Sequence, residues 1–314
     1  MDIATLYTQI IVMFLLMGVG AICYRRGMIT DAGSAQMSSL ITTFVMPAII
    51  IDSFRREFDP AMFGKLIAAF ALSAVLLAAS IALATLLFRS GTPDYADKRM
   101  CVIFCNNGFM ALPLLQALFG EDGMFIGSIN IVATNILLWT YGIRLLSRAS
   151  AQPQEQAQRA GSWKKVFFNP GTIGLYIGLA IFLTSFQLPP VIGNTIGFLA
   201  DLNTPLAMII LGVYLAQSNI MQLVKDRTIY FISACRLLIV PLLSIALLCV
   251  LPFDRSVASV LIVSISTPCA VVSSMFAQIY GTNYRYSSRI IAFSTLLSAL
   301  TMPLMLILYQ AVAA

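Results

Sequence analysis

Long apolar runs with almost no charge are the feature that most restricts what this chain can become. Runs such as 66–88, 173–186 and 229–251 approach the roughly 20 residues that a helix needs to cross a bilayer. In lipid only an α-helix or a closed barrel satisfies its backbone hydrogen bonds, and these runs do not alternate apolar with polar residues. The sequence therefore predicts an all-α polytopic membrane protein.

Composition narrows the class of protein further. Charged residues make up 10% of the 314, against about 25% in a typical soluble domain, and the mean hydropathy is +0.90. The chain has no histidine, and its six cysteines lie in or at the ends of apolar segments, where a free thiol behaves as a small hydrophobic group. We therefore expect no metal site, no cofactor and no enzyme active site, since most acid–base chemistry would lack its usual base.

The apolar runs and the turns between them indicate ten transmembrane helices. Turn-like sequences separate several of the runs, for example at 91–93 and 120–123. Residues 7–24 have no basic segment before them and are interpreted as a retained first helix rather than a signal peptide. The predicted spans are 7–24, 36–53, 62–88, 99–119, 124–146, 170–187, 190–217, 228–251, 256–280 and 288–311.

Lysine and arginine are distributed unequally between the two sides of such a bundle. Loops on the side of the N-terminus hold only Arg55, Arg56, Lys65 and Arg255, whereas loops on the other side hold fourteen basic residues. In membrane proteins the cytoplasmic loops carry the basic excess. This predicts a multi-pass protein of the cytoplasmic membrane with both termini extracytoplasmic. It also explains the net charge of +6 without nucleic acid as a partner.

A polar stretch divides the chain into two halves of five helices. We expect a first repeat at 1–146, a cytoplasmic linker at 147–165 and a second repeat at 166–314. With an odd number of helices in each half, the second half enters the membrane from the opposite side, as in many secondary transporters. An offset of 158 aligns Pro47 with Pro205, and an offset of 161 aligns interruptions in spans four and nine. The predicted fold is therefore two inverted five-helix repeats.

Spans four and nine each contain a sequence that breaks a helix near mid-membrane. Asn-Asn-Gly at 106–108 is a poor helical sequence, and Pro268 removes a helix hydrogen bond. Matching interruptions in both halves point to a transporter binding site, and the alternative is a simple kink. Because the two spans run in opposite directions, two half-helix N-termini can converge and bind a carboxylate without Lys or Arg. The predicted substrate-binding residues are Asn106, Asn107, Gly108, Ser266, Thr267, Pro268 and Cys269.

The order and spacing of several motifs resemble a known family. The motifs are 107–114 (NGFMALPL), 119–123 (FGEDG), 137–142 (LLWTYG), 169–171 (NPG) and 204–208 (TPLAM). Together they extend over nearly the whole chain and are similar to the bacterial branch of the auxin efflux carrier family. The inverted-repeat fold of that family is like that of bile acid, arsenite and riboflavin transporters.

The resemblance implies a mechanism and a class of substrate. Spans 1, 2, 6 and 7 would form a scaffold that dimerises, and spans 3–5 and 8–10 a moving transport domain in which broken helices four and nine cross. Pro47, Asn203 and Pro205 would form the scaffold wall of the site. Family substrates are carboxylates such as malate, malonate and auxin. We therefore expect a secondary transporter of small organic anions, with efflux as one direction, working by elevator-type alternating access within a homodimer.

Arg236 is the one basic residue deep within an apolar run. A charge inside the membrane is a functional-site hypothesis by default, and the alternatives here are snorkelling to the interface or structural pairing. No carboxylate lies convincingly in mid-membrane, so the sequence leaves open which carboxylate is moved, in which direction, and whether protons or sodium are coupled to it. A channel or a non-transporting sensor of the same fold is the alternative function.

Overall fold

The structure, a computed structural model, describes residues 3–150, 168–217, 226–251 and 253–313. Within those ranges it is all helical and has no strand. In chain order the α-helices are α1 (Ile3–Arg25), α2 (Asp31–Leu40), α3 (Met46–Ser53), α4 (Pro60–Leu87), α5 (Tyr95–Ile103), α6 (Leu112–Leu137), α7 (Ile143–Ala149), α8 (Pro170–Thr184), α9 (Pro190–Asp201), α10 (Asn203–Gln217), α11 (Arg227–Ala234), α12 (Val240–Val250), α13 (Arg255–Ile265), α14 (Val271–Ile279) and α15 (Tyr284–Ala313).

Four π-helical segments adjoin these helices, and three of them join two helices end to end. A π-helical turn holds one more residue than an α-helical turn, and such turns are often found at functional sites. Their presence makes several pairs of short α-helices continuous, so that α2 and α3, for example, form one helix of 23 residues. The segments are π1 (Ile41–Val45), π2 (Asn107–Ala111), π3 (Leu138–Gly142) and π4 (Cys235–Ile239).

Seven helices in the described part of the chain are long and apolar enough to cross a membrane. This confirms a multi-pass membrane protein, while the ten-span inverted repeat stays a prediction. Two further apolar helices, Pro170–Thr184 and Arg255–Ile265, are shorter. From residue 151 to 165 the predicted linker lies outside the described residues. The seven helices are Ala4–Arg25, Asp31–Ser53, Pro60–Leu87, Asn107–Ala149, Pro190–Gln217, Arg227–Val250 and Tyr284–Val312.

The longest helical stretch contains one residue that is not helical. Gly120 has φ 60° and ψ −145°, a conformation that glycine adopts readily because it has no Cβ. The continuous count of 43 residues for Asn107–Ala149 therefore includes a sharp bend at the position where the sequence predicts a turn between two spans. Gly120 therefore separates two helical segments within this stretch.

Helices α1 and α10 approach each other at two glycines. A Cβ added to Gly20 would lie 2.0 Å from the carbonyl oxygen of Ile209, and a Cβ added to Gly212 would lie 1.9 Å from the carbonyl oxygen of Met17. Backbone atoms cannot move aside as the end of a flexible side chain can. The two helices are therefore in direct backbone contact, as small residues allow between membrane helices.

Replacing Gly20 with alanine should destabilise this helix pair. The added methyl group meets backbone on α10, so the helices must separate, and overpacking of this kind costs about 1–3 kcal/mol. Gly18 on the same helix is a matched control, because a Cβ there would meet nothing within 4 Å. Thermal unfolding of the purified variants in detergent should show a lower midpoint for Gly20→Ala than for Gly18→Ala. Equal midpoints would contradict the close packing.

A cluster of phenylalanines closes one end of the bundle. Phe54 follows α3, Phe125 is on α6 and Phe182 is on α8, and the ring centroids of Phe125 lie 4.7 Å from Phe54 and 5.0 Å from Phe182. Arg56 makes an ion pair of 2.8 Å with Asp122 beside this cluster. We call Phe54, Phe125 and Phe182 the aromatic cluster. It connects α3 and α8 with α6.

A cavity of about 750 Å³ lies at the opposite end. One continuous helix connects the two ends. It begins at Asp31, which lines the cavity, and ends at Ser53, next to the aromatic cluster. The 23 residues of this helix extend over roughly 34 Å. Helices α1, α2 and α10 line one side of the cavity, and α14 and α15 line the other. The described bundle therefore has a cavity at one end and the packed aromatic cluster at the other. Cavity-lining residues include Tyr24, Tyr214, Ser274, Arg285 and Arg289.

Candidate functional site

Two interrupted helices meet in the interior of the bundle. Helix α5 ends at Ile103 and α13 ends at Ile265. The chain is extended from Phe104 after α5, whereas a short turn at 266–267 precedes the extended segment after α13. The two extended segments pair in antiparallel fashion, with Cys105 opposite Cys269. The N–H of Asn106 donates to the carbonyl of Pro268 over 2.9 Å, and the N–H of Ala270 donates to the carbonyl of Phe104 over 2.9 Å. We call segments 104–106 and 268–270 the crossing.

The local sequence explains why the helices stop here. Pro268 has no N–H and cannot continue a helix, but it keeps its carbonyl, and this is the group that the crossing uses. On the other segment Gly108 is a poor helix former. A Cβ there would lie 2.6 Å from Cε of Met46, so a side chain at this position would have to displace the flexible end of that methionine. The interruption at 106–108 is thus a place of close approach to π1–α3.

New helical segments begin directly after the crossing on both sides. The π2 segment follows Asn106, and α14 follows Ala270. Asn106 is a residue type that commonly caps a helix, yet neither it nor Ala270 makes a side-chain capping hydrogen bond. The first N–H groups of a helix have no partner within the helix, and they carry a partial positive charge. Both starts therefore present positive ends at the crossing.

Four buried side-chain atoms around the crossing have no hydrogen-bond partner among the described residues. They are Nδ2 of Asn106, Nδ2 of Asn130, Oδ1 of Asn203 and Oγ of Ser266. Each of these residues is 5% exposed or less. Buried polar groups are normally hydrogen-bonded, so several unpaired polar atoms at one place indicate a site where a ligand or water binds. Three of the four atoms can donate a hydrogen bond to an anion.

Asn107 is already engaged within the protein. Its Nδ2 donates to Oγ1 of Thr134 over 3.0 Å, and its Oδ1 accepts from the thiol of Cys105 over 2.8 Å. Thr134 donates in turn to the carbonyl of Asn130. The sequence interpretation overlooked Asn130 and Thr134, although two polar residues four apart in an apolar helix share one face and could have been noticed. Asn106 is thus the better candidate for direct contact with a substrate.

The other predicted binding residues are held by backbone contacts. Oγ1 of Thr267 donates to the carbonyl of Ser264 over 2.7 Å, and the N–H of Cys269 donates to Oγ of Ser294 over 3.3 Å. Ser266 is fully buried. The structure therefore brings the residues predicted in both halves to one place. It leaves Ser266 and Asn106 with free donors.

The residues predicted as a scaffold wall have different positions. Nδ2 of Asn203, on α10, donates to the carbonyl of Gly108 over 3.1 Å, so this residue touches the segment that follows the crossing. Pro47 lies against α8 instead, where a Cβ on Gly174 would be 2.8 Å from the Cα of Pro47. Pro205 is exposed. Of the three, Asn203 is the one whose contacts place it at the site.

Arg236 is buried directly behind the crossing and is 1% exposed. Its Nε donates to the carbonyl of Thr267 over 3.2 Å, its Nη1 to the carbonyl of Val102 over 3.1 Å, and its Nη2 to the carbonyl of Ile265. It does not reach an interface. Of the alternatives that the sequence left open, structural pairing describes these contacts, and the partners are backbone carbonyls from both interrupted helices.

The described residues contain no group of three or more His, Cys, Asp or Glu side chains that could hold a metal ion. All six cysteines are free thiols. Cys101, Cys105, Cys235 and Cys269 are buried, whereas Cys249 is exposed. The groups present around the crossing are neutral hydrogen-bond donors and the N-terminal ends of two helical segments.

Comparisons with known proteins show which family the chain is similar to. A family described as "Membrane transport protein" matches residues 5–306. An "Uncharacterized transporter" of Methanothermobacter thermautotrophicus is 30% identical over 200 residues, which are 63% of each chain. A "Putative malonate transporter" of Rhizobium meliloti is 24% identical over 229 residues, 72% of this chain and 71% of the relative.

A plant protein is also similar to part of the chain. The "Probable auxin efflux carrier component 1c" of Oryza sativa subsp. japonica is 27% identical over 151 residues. These are 47% of this chain and 25% of the rice protein. The chain therefore spans less than two thirds of the archaeal relative and about a quarter of the plant relative.

Proposed function

The chain belongs to the auxin efflux carrier family of membrane transport proteins, and on that premise we propose that it moves small organic anions, carboxylates in particular, across the cytoplasmic membrane. The observation that carries the proposal is the crossing. Two uncapped helical starts and the free donors of Asn106, Asn130 and Ser266 surround one buried place. Such a place suits an anion and needs no lysine or arginine in contact with it.

The identity of the anion is suggested by chemistry and by names. A carboxylate has two oxygens that can accept several hydrogen bonds, which fits neutral amide and hydroxyl donors better than a cation would. Two relatives have names that refer to malonate and to auxin, both of which are carboxylates. We therefore propose a small carboxylate as the substrate.

The proposed mechanism is alternating access by an elevator-type movement. Helices α1–α3 and α8–α10 would form the scaffold, and α4–α7 and α11–α15 the transport domain that carries the crossing. The aromatic cluster and the ion pair of Arg56 with Asp122 join the two bodies at one end, while the cavity separates them at the other. This is the arrangement expected of a transporter that is open to one side.

The basic residues give the proposed direction of that opening. Arg285 and Arg289 line the cavity and belong to the side with the basic excess, so the open end would face the cytoplasm. Ten crossings of the membrane, extracytoplasmic termini and a homodimer formed by the scaffold complete the proposal. One negative charge moved outward along an inside-negative potential gains about 2.3 kcal/mol per 100 mV, so efflux needs no coupled ion.

Uptake of labelled malonate into proteoliposomes tests this function. We expect saturable uptake that other small carboxylates inhibit and that the diamide of malonate does not. Binding without uptake would favour a sensor, and non-saturable conductance would favour a channel. Either result would overturn the transporter proposal.

A further inference from the structure

We propose that Arg236 determines the charge preference of the site without touching the substrate. Its guanidinium would cancel the negative ends of α5 and α13, which would otherwise offset the positive ends of π2 and α14 at the crossing. Arg236 is in this sense a positioning and specificity-determining residue for anions. The inference rests on the proposed function, because it concerns the same site.

The hydrogen bonds of Arg236 show which charges it meets. The last four carbonyls of an α-helix have no partner within the helix, and the C-terminal end carries about half a negative charge. Val102 lies in the last turn of α5, and Ile265 is the last residue of α13. One planar guanidinium donates to both of these carbonyls and also to that of Thr267. It therefore serves both helix ends at once.

The sum of charges at the crossing depends on this contact. Two C-terminal ends bring about one negative charge, and two N-terminal ends bring about one positive charge, to nearly the same place. Without a further cation the two contributions would oppose each other, and the helix ends would contribute little favourable electrostatic energy to the binding of an anion. With Arg236 at the C-terminal ends, the positive ends of π2 and α14 remain uncancelled. An anion is then the ligand that completes the balance.

No acidic side chain is seen to neutralise Arg236. In the described part of the chain the ion pairs lie elsewhere. On α5 the nearest acid is Asp97, five residues before Val102. Its carboxylate accepts from the hydroxyls of Thr282 and Ser287, not from a guanidinium. The described ion pairs are Arg55–Asp52, Arg56–Asp122 and Lys65–Asp254.

The position of Arg236 next to the site is fixed by two features. It belongs to π4, so the extra residue in that turn places its side chain between the two interrupted helices. Thr267, one of its acceptors, directly precedes Pro268, whose carbonyl accepts from Asn106 at the crossing. The charge thus lies one residue behind the crossing and acts through a buried medium, where electrostatic effects are stronger than in water.

A series of ligands that differ in charge tests the inference. Malonate, its monoamide and its diamide have similar shapes and carry two, one and no negative charges. In the full-length protein in detergent we expect affinity to rise by about tenfold per charge, a typical effect of a buried cation some distance away. In Arg236→Gln the rise should fall below about threefold per charge. Arg236→Lys keeps the charge and should retain most of the rise.

Arg99 provides a matched control variant. It is also buried, and its Nε donates to the carbonyl of Phe88 at the end of α4, away from the crossing. Arg99→Gln should lower the stability of the protein but leave the dependence of affinity on ligand charge unchanged. If Arg236→Gln weakens the binding of all three ligands by the same factor, the inference is wrong. It is also wrong if Arg99→Gln reduces the dependence of affinity on ligand charge as much as Arg236→Gln does.

Three further outcomes are informative. Where Arg236→Gln does not fold, Arg236→Lys decides, because loss of the charge dependence in a folded lysine variant would overturn the inference. Failure of the wild-type protein to bind any of the three ligands would instead count against the proposed function. Normal binding by the wild type with an unchanged dependence in the variants would count against the role of Arg236 alone.

Discussion

Joining positions 56 and 122 covalently should stop transport and leave binding from the cavity side intact. Arg56 follows α3 in the proposed scaffold, and Asp122 lies on α6 in the proposed transport domain. Their side chains are 2.8 Å apart at the end of the bundle that holds the aromatic cluster. In an elevator-type movement these residues must separate before the site can open on the other side. A short, cleavable thiol cross-linker between Arg56→Cys and Asp122→Cys would prevent this.

A second cross-link provides the control for the first. Nη1 of Arg55 lies 2.8 Å from the carbonyl of Gly193, and both residues belong to the proposed scaffold at the same end of the bundle. The same reagent applied to Arg55→Cys with Gly193→Cys should leave uptake near that of the untreated protein. Both pairs are made in a background where Cys23 and Cys249 are serine, since the other four cysteines are buried.

Cleavage of the linker by a reducing agent distinguishes a protein that is held in one conformation from one that the reagent has inactivated. Uptake by the 56–122 pair should fall to the level of empty liposomes on cross-linking and return when the linker is cleaved. If the cross-linked protein transports at its normal rate, the two bodies do not move against each other and the elevator mechanism is wrong.

Replacing Asn106 with leucine should weaken carboxylate binding by about 10- to 100-fold, because a hydrogen bond to a charged group contributes about 1.5–3 kcal/mol. The stability of the unliganded protein should not fall, since Nδ2 of Asn106 is buried without a partner. Binding is measured by calorimetry and stability by thermal unfolding. Asn194→Leu, on an exposed face of α9, is the control and should leave both quantities nearly unchanged.

Asn107→Leu should behave differently from Asn106→Leu. Sequence alone predicted Asn107, together with Asn106, as a substrate-binding residue, but its amide is bonded to Thr134 and Cys105. Its loss leaves a buried hydroxyl and thiol with fewer partners, so we expect a stability loss of about 1–3 kcal/mol. Should Asn106→Leu lower stability and leave binding unaffected, the assignment of the free donor at the crossing would be refuted.

The comparison of these two asparagines shows how far sequence reasoning extends. The poor helical sequence at 106–108 and the missing N–H of Pro268 are local properties, and the interruptions they predict occur in the structure. Which asparagine keeps a free amide depends on Thr134, which is 27 residues away from Asn107. No pattern within one span contains that information.

Other features could not be predicted because they depend on packing between helices. The π-helical segments could not be predicted from the sequence. One extra residue in a single turn changes the spacing of apolar residues too little to be distinguished from the spacing of an ordinary α-helix. Arg236 was recognised as unusual, but its partners are carbonyls that any residue provides. Only the structure, in which the ends of α5 and α13 lie side by side, shows that Arg236 donates to carbonyls of both helices.

The contacts of Arg236 also impose an order on biosynthesis. An arginine in the middle of a membrane helix costs about 2.5–3.5 kcal/mol during insertion by the translocon. The carbonyls of Ile265 and Thr267 belong to residues 29 and 31 positions later in the chain. At about 5–20 residues per second they emerge from the ribosome roughly 1.5 to 6 seconds after the arginine. The nascent chain therefore holds this cation before two of its three acceptors exist, since only the carbonyl of Val102 is already present. The crossing is completed only when segment 268–270 has been synthesised.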